Sequence, residues 1–437
     1  MKKMRPDTRK PKKKSTLKFI GRAFRSRNYR LYFCGQCVSL IGTWMQHVAM
    51  SWLVYRLTGS GALLGLVTAA GQISLLFLTP FTGVFVDRVH RRNLLIVTQM
   101  LCTVQAALLA FLTLSGQIQV WHLVLLSLFL GTVNAFDMPA RHSFVIEMVE
   151  HKKDLGNAIA LNSAMFNTAR LVGPSLAGLL VGALGEGICF LLNAISFFAI
   201  IFTLLAMKIP KRKTDVEHPP VFQGLKEGYQ YAFSFRPILY LLVLMALIGL
   251  MGMPYMVLMP IFARDILQGG PQTFGFLMGA SGIGALMGSL YLASRRSVLG
   301  LAKLNAFAVC IFGTGIIVFS FSRSLPLSLC ILLFTGVGMI MHMASSNTLL
   351  QTIVDEDKRG RVMSYMSMCT MGMAPFGSFL AGSLSDVIGA PHTLIINGIA
   401  CIVGALFFYS RLPIIRKAVR PIYVKMGIIK DLPVELQ

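Results

Sequence analysis

The sequence predicts an all-α integral membrane protein, with twelve transmembrane helices in two pseudo-symmetric six-helix bundles. Three observations predict it. Of the 437 residues, 55% are hydrophobic and only 13% charged, about half the charged share of a soluble globular domain. The apolar residues fall into long runs, each near the roughly 20 residues that cross a bilayer as a helix, the form that satisfies its own backbone polar groups in lipid. Finally, a set of glycines recurs at one fixed separation, the mark of an internal duplication.

The spans are predicted at 31–56, 61–86, 93–115, 119–138, 157–184, 187–208, 236–262, 272–294, 301–322, 325–352, 361–388 and 392–411. The first follows a basic stretch, as a signal peptide would. It exceeds the roughly 7–15 apolar residues of a signal-peptide core and is followed by further spans, so it is expected to be retained.

Charge alternates with the spans. Basic residues cluster in the N-terminal tail (Lys2 to Arg30) and between spans two and three (Arg88, Arg91, Arg92), four and five (Arg141, Lys152, Lys153), and six and seven (Lys208, Lys211, Arg212, Lys213). They recur between eight and nine (Arg295, Arg296, Lys303), between ten and eleven (Lys358, Arg359, Arg361) and in the C-terminal tail, whereas SGQIQVWH and GALGEG hold no Lys or Arg. The positive-inside rule then places both termini in the cytoplasm, which only an even number of spans allows. The net charge of +24 is thus mostly topology, and a nucleic-acid partner is not implied; a basic tail beside a membrane is ordinarily an orientation signal or a lipid contact.

The duplication is ungapped. Gly156 matches Gly360, Gly173 matches Gly377, Leu176-Ala177-Gly178 matches Leu380-Ala381-Gly382, and Gly185 matches Gly389, at a separation of 360 − 156 = 204. Arg91 and Arg92 fall on Arg295 and Arg296 at the same offset. Six spans per repeat make the halves parallel. The expected organisation is a basic N-terminal tail (1–30), an N-terminal bundle (31–208), a cytoplasmic linker (209–235), a C-terminal bundle (236–411) and a C-terminal tail (412–437).

Enzymatic chemistry leaves no trace. The eight cysteines lie in apolar stretches, and Cys34 and Cys37 form a lone C-x-x-C without a second pair or a histidine at ligand spacing, which reads as membrane packing rather than a metal site. No phosphate loop, H-E-x-x-H or nucleophile elbow is present, so neither catalysis, cofactor nor ATP use is expected.

Polar residues inside spans are the functional candidates. Gln36, Ser39, Thr43 and Gln46 recur at helical spacing along span one, a stripe that either faces a substrate path or hydrogen-bonds neighbouring helices. His47 stands beside it. Arg170 lies well inside span five, where a charge is costly; it either pairs with Asp137 or Glu147 or meets an anionic substrate. Methionines gather in spans seven, ten and eleven, which suits either a surface for varied apolar ligands or ordinary packing.

The stretch GVFVDRVHRR, with Gly83, Asp87, Arg88, Arg91 and Arg92, resembles the signature loop between helices two and three of the major facilitator superfamily. WLVYRLTGSGALLGLV, FDMPARHSFVIEMV, NTARLVGPSLAG, MPIFARDILQGG and DKRGRVMSYMS together resemble its bacterial drug and siderophore exporter branch, which includes the enterobactin exporter and macrolide efflux proteins. The resemblance implies the major facilitator fold. It implies a conformational latch, in which Asp87 faces the start of helix eleven near Arg361 and Arg91 faces Asp137; a carboxylate is favoured at a helix N-terminus. It implies that helices one, four, seven and ten line the cavity, nominating Asn134, Tyr255, His342, Ser346 and Asn347. Gly173, Pro174 and Gly178 are similar to the antiporter motif, where the proline removes a backbone hydrogen bond and lets the helix bend. The sequence departs from the pattern at His90, at the missing acid before Arg295, and at Ser127, near where many proton-coupled antiporters carry an arginine.

The expected activity is secondary transport in the bacterial cytoplasmic membrane: proton-driven export of a small amphipathic molecule, a drug or siderophore, by a monomer. An uptake permease would use the same fold in reverse, and a channel or membrane sensor would need neither duplication nor latch.

Overall fold

The computed structural model describes residues 21–151, 154–207, 230–231, 233–295, 297–356 and 358–429; at positions 79, 80, 83, 84 and 87 only the helical backbone is described. After a short 3-10 turn at Arg22–Arg25, six helices form the first half: α1 (Arg27–Thr58), α2 (Gly61–Arg88), α3 (Arg91–Leu114), α4 (Val120–Met148), α5 (Leu155–Leu184) and α6 (Glu186–Ala206). The second half holds α7 (Arg236–Ile266), α8 (Pro271–Ser294), α9 (Leu301–Phe321), α10 (Leu325–Ile353), α11 in two pieces (Arg359–Met371 and Ala374–Ile388) and α12 (Ala390–Ser410), followed by α13 (Leu412–Lys425). Eleven of these are individually long and apolar enough to cross a membrane. The twelfth span is the broken α11.

Four differences from the sequence reading have local causes. Helix α4 runs on to Met148 through Pro139, because the polar run that resembles a helix end instead closes an i,i+4 ion pair between Asp137 and Arg141. Helix α7 relaxes into π turns at Ile248–Gly252 and Phe262–Ile266, close to Pro254 and Pro260, which donate no backbone hydrogen bond. Helix α11 breaks at Gly372 and Met373, just before Pro375 in the first turn of its second piece. The tail at 412–437 contains α13, whose apolar side seats Leu412, Ile415 and Val419 inward while Arg416, Lys417 and Lys425 face outward. Of the 209–235 linker, residues 209–229 and 232 lie outside the described residues.

Packing repeats between the halves. The α2–α4 and α3–α6 pairs of the first half recur as α8–α10 and α9–α12 in the second, and the halves meet along two seams, α2 with α11 and α5 with α8. The matched glycines do matched work. Gly185 and Gly389 both take positive φ, 82° and 86°, which turns the chain sharply between α5 and α6 and between α11 and α12 and which a side chain would resist. Gly173 lets α5 touch the α1 backbone, and Gly377 lets α11 touch the α7 backbone. Gly178 and Gly382 serve the seams: a Cβ on Gly178 would lie 2.9 Å from the Gly275 Cα on α8, and one on Gly382 would lie 3.0 Å from the Gly65 Cα on α2. Each repeat therefore uses one glycine inside its half and one across the boundary.

All these seam contacts lie toward one end of the bundle, the end of the 59–60, 185 and 389 turns. We call it the turn end. The chain segments entering α1 and leaving α12 lie at the opposite, terminal end. The halves are sealed at the turn end.

Candidate transport site

Near the level where the seams stop, α1, α5, α7, α8 and α10 bring together five side chains. The guanidinium of Arg170 on α5 lies 5.9 Å from the Trp44 ring of α1, within cation–π range. Its Nη2 stands 3.8 Å from the Met339 Sδ on α10, across the boundary. The Tyr255 hydroxyl of α7 shares that sulfur at 3.8 Å and bonds the Ser281 hydroxyl of α8 at 2.8 Å. Trp44 also packs on Phe166, and His47, which is exposed, lies 6.0 Å from its ring. The cluster combines one cation, polarisable sulfur and aromatic faces, which suits an amphipathic ligand carrying negative charge.

No carboxylate among the described residues pairs with Arg170. Of the two acids considered for it, Asp137 bonds Arg141, at 2.7 Å to Nε, and accepts from Thr98 at 2.7 Å and Gln99 at 2.8 Å. Glu147 bonds Arg91 at 2.8 Å. The same geometry redirects the expected Arg91–Asp137 contact: Arg91, at the start of α3, reaches the last turn of α4, while Asp137 lies nearly three turns earlier. Arg92 donates to the Leu204 and Leu205 carbonyls at the end of α6, a cation on a helix C-terminus. Arg88 is exposed and Arg361 half-buried in the first turn of α11. Gly83 is described only as helical backbone of α2, and the Asp87 side chain, with its expected place at α11, lies outside the described residues.

The polar stripe on α1 turns inward, into its own half. Gln46 donates to Gln105 of α3 at 2.9 Å and accepts from Asn193 of α6 at 2.8 Å. Gln36 and Ser39 are buried, and Thr43 bonds the Ser39 carbonyl of its own helix. Gln46 thus joins α1 to α3 and α6. His342 is likewise buried, its Nδ1 2.7 Å from Asn305 Oδ1, and Asn305 reaches Ser346 at 3.0 Å. This group ties α9 to α10 much as Asp137, Thr98 and Gln99 tie α3 to α4. Asn347 accepts from Gln351, and Asn134 is half-buried on α4. Pro174 sits inside an α5 that remains helical from Leu155 to Leu184.

Met339 belongs to the methionines gathered in span ten, whereas Trp44 and Ser281 complete the cluster without having stood out by type. The sequence signal for Trp44 is register: it falls three residues before His47, on the side of α1 away from Gln46.

A family model described as transmembrane secretion effector matches residues 22–423. The chain belongs to this family of the major facilitator superfamily. Among curated relatives, the staphyloferrin A transporter of Staphylococcus aureus is 24% identical, over 87% of this chain and 95% of its own. The multidrug efflux pump Tap of Mycolicibacterium fortuitum is 27% identical, over 80% and 87%. Macrolide efflux protein A of Streptococcus pyogenes is 22% identical, over 86% and 95%. Among solved structures, a bacterial homologue of the human lysosomal transporter Spinster, inward-facing, matches with TM-score 0.72 at 13% identity, over 90% of this chain and 98% of its own. An inward-facing bacterial homologue of the iron transporter ferroportin matches with TM-score 0.66 at 18% identity, over 88% and 98%. The fold is that of the major facilitator transporters, and the protein is a multi-pass membrane transporter of small molecules, not an enzyme.

Proposed function

We propose that the protein exports a small amphipathic molecule bearing negative charge, by alternating access across the bacterial cytoplasmic membrane with both termini in the cytoplasm. The observation that carries the reading is Arg170: a cation in the middle of α5, at the boundary of the halves, with Trp44 and Met339 beside it and no carboxylate partner among the described residues. A charge inside a membrane protein is costly without a partner or a watery path, and an anionic cargo supplies the partner. Relatives named for a siderophore and for drugs support export of such molecules. The gradient that drives it is that of protons.

Export assays in a deletion strain, with the cell's own siderophore and a panel of anionic, neutral and cationic antibiotics, test this reading. Arg170→Gln is expected to abolish export of anionic cargo and Arg170→Lys to keep part of it, with a protonophore stopping both. Export of cationic drugs alone, untouched by Arg170→Gln, would refute it; uptake rather than efflux would favour a permease.

A further inference from the structure

At the turn end, α2 begins at Gly61 with its first-turn N–H groups facing the last turn of α11 in the other half. The Asp386 carboxylate of α11 accepts from the Gly61 N–H at 2.6 Å, the Ala62 N–H at 3.0 Å and the Ser60 hydroxyl at 2.6 Å. The Ser60 oxygen in turn accepts from the Leu63 N–H at 3.3 Å. Three consecutive first-turn donors are thus satisfied, two of them by a residue more than 320 positions away in the sequence. A helix begins with N–H groups that lack partners and with the positive end of its dipole. An acid there is commonly local; here it comes from the opposite half. A second tie crosses beside it, where the Tyr55 hydroxyl of α1 bonds Asp265 of α7 and Arg264 donates to the Tyr55 carbonyl at 3.2 Å.

Among the described residues the other seam lacks this device. The repeat offset carries Asp386 onto Gly182 (386 − 204 = 182), where a Cβ would run into the side chain of Gln272 at the start of α8. Both seams pack on glycines, and the α2–α11 seam adds a carboxylate on a helix N-terminus.

We propose that Asp386 is the positioning residue that holds the turn end shut, and that its release from the α2 N-terminus admits the state open at that end. Every donor it binds belongs to the half that moves away, so the capping interaction exists only while the seam is closed. Its loss biases the equilibrium between states without touching the cluster at Arg170. The proposal does not depend on cargo, coupling ion or transport direction.

The test is double electron–electron resonance on the purified full chain in lipid nanodiscs, its native cysteines replaced. One label pair at Leu184 and Val387, both exposed at the turn end, reports opening there. A second pair at Ile159 and Met368, toward the terminal end, reports closure. Asp386→Asn and Asp386→Ala are expected to raise the long-distance population of the first pair on the order of tenfold and to shorten the second, with Asp386→Glu restoring the parent distribution. Ser60→Ala, which removes only a hydroxyl, is expected to give a smaller shift in the same direction. Distributions that coincide with the parent in all of these variants overturn the proposal, as does opening of the first pair without closure of the second, which would mark a loosened seam rather than a shifted cycle.

Discussion

Replacing Asp137 by asparagine isolates the ion pair at the centre of the first half. Asp137 is 2% exposed and accepts from Thr98, Gln99 and Arg141. An asparagine of nearly the same shape can still accept from Thr98 or Gln99 but leaves the Arg141 guanidinium without its counter-charge. Breaking a fully buried pair costs about 3–5 kcal/mol. Here the Arg141 side chain keeps 22% of its exposure and water screens it, so we expect about 2 kcal/mol. For a cooperative unit the size of one half, this corresponds to a fall in Tm of roughly 4–8 °C, measured by tryptophan fluorescence of the detergent-solubilised protein. Adding Arg141→Met removes the orphaned charge and is expected to recover at least half of the loss, a coupling that a double-mutant cycle reads directly. A Tm for Asp137→Asn within about 1 °C of the parent, or a double variant that adds both losses, would refute the argument that the Asp137 charge is what holds Arg141 in place on α4.

Three further outcomes are expected. Gln46→Leu strands amide groups of Gln105 and Asn193 and should cost about 1–3 kcal/mol, lowering Tm while leaving the cargo spectrum unchanged; a changed spectrum with unchanged Tm would return the stripe to the transport path. Arg91→Glu should impair transport and Glu147→Arg, added to it, should restore part, whereas the same rescue by Asp137→Arg would contradict the observed pairing. Gly178→Val should keep α5 from closing on α8, so that in nanodiscs the Leu184–Val387 distance lengthens; an unchanged distance would mean the glycine contact does not govern that seam.

The twelve spans were legible because length and hydropathy act locally, and the duplication was legible because its glycines do the same steric work twice. The break in α11 was not: Pro375 announces a weak point, but Pro139 and Pro174 sit in helices that continue, and only packing decides between the outcomes. The site was less legible for a related reason. Periodicity showed that Gln36, Ser39 and Gln46 share a face of α1, but a polar face that binds neighbouring helices has the same spacing as one that lines a path. Arg170 stood out as a charge in a span and Met339 as one of the gathered methionines, but nothing local in the sequence ties Trp44 to either, because their meeting depends on how three separate helices pack. Asp386 escaped notice because a carboxylate at the end of a span resembles ordinary interfacial charge until the opposite half is brought beside it.

Helix α13 gives the second half an attachment that the first half lacks among the described helices. Its buried Leu412, Ile415 and Val419 join it to α7 and α12, and its exposed Arg416, Lys417 and Lys425 project from the terminal end. Any tilting of the second half must carry this basic helix with it, up or down relative to the phosphate layer. The surrounding lipid then enters the transport cycle as a mechanical load: each basic residue held near an anionic surface contributes about 1 kcal/mol, so a leaflet rich in anionic lipid resists whichever tilt lifts α13 away.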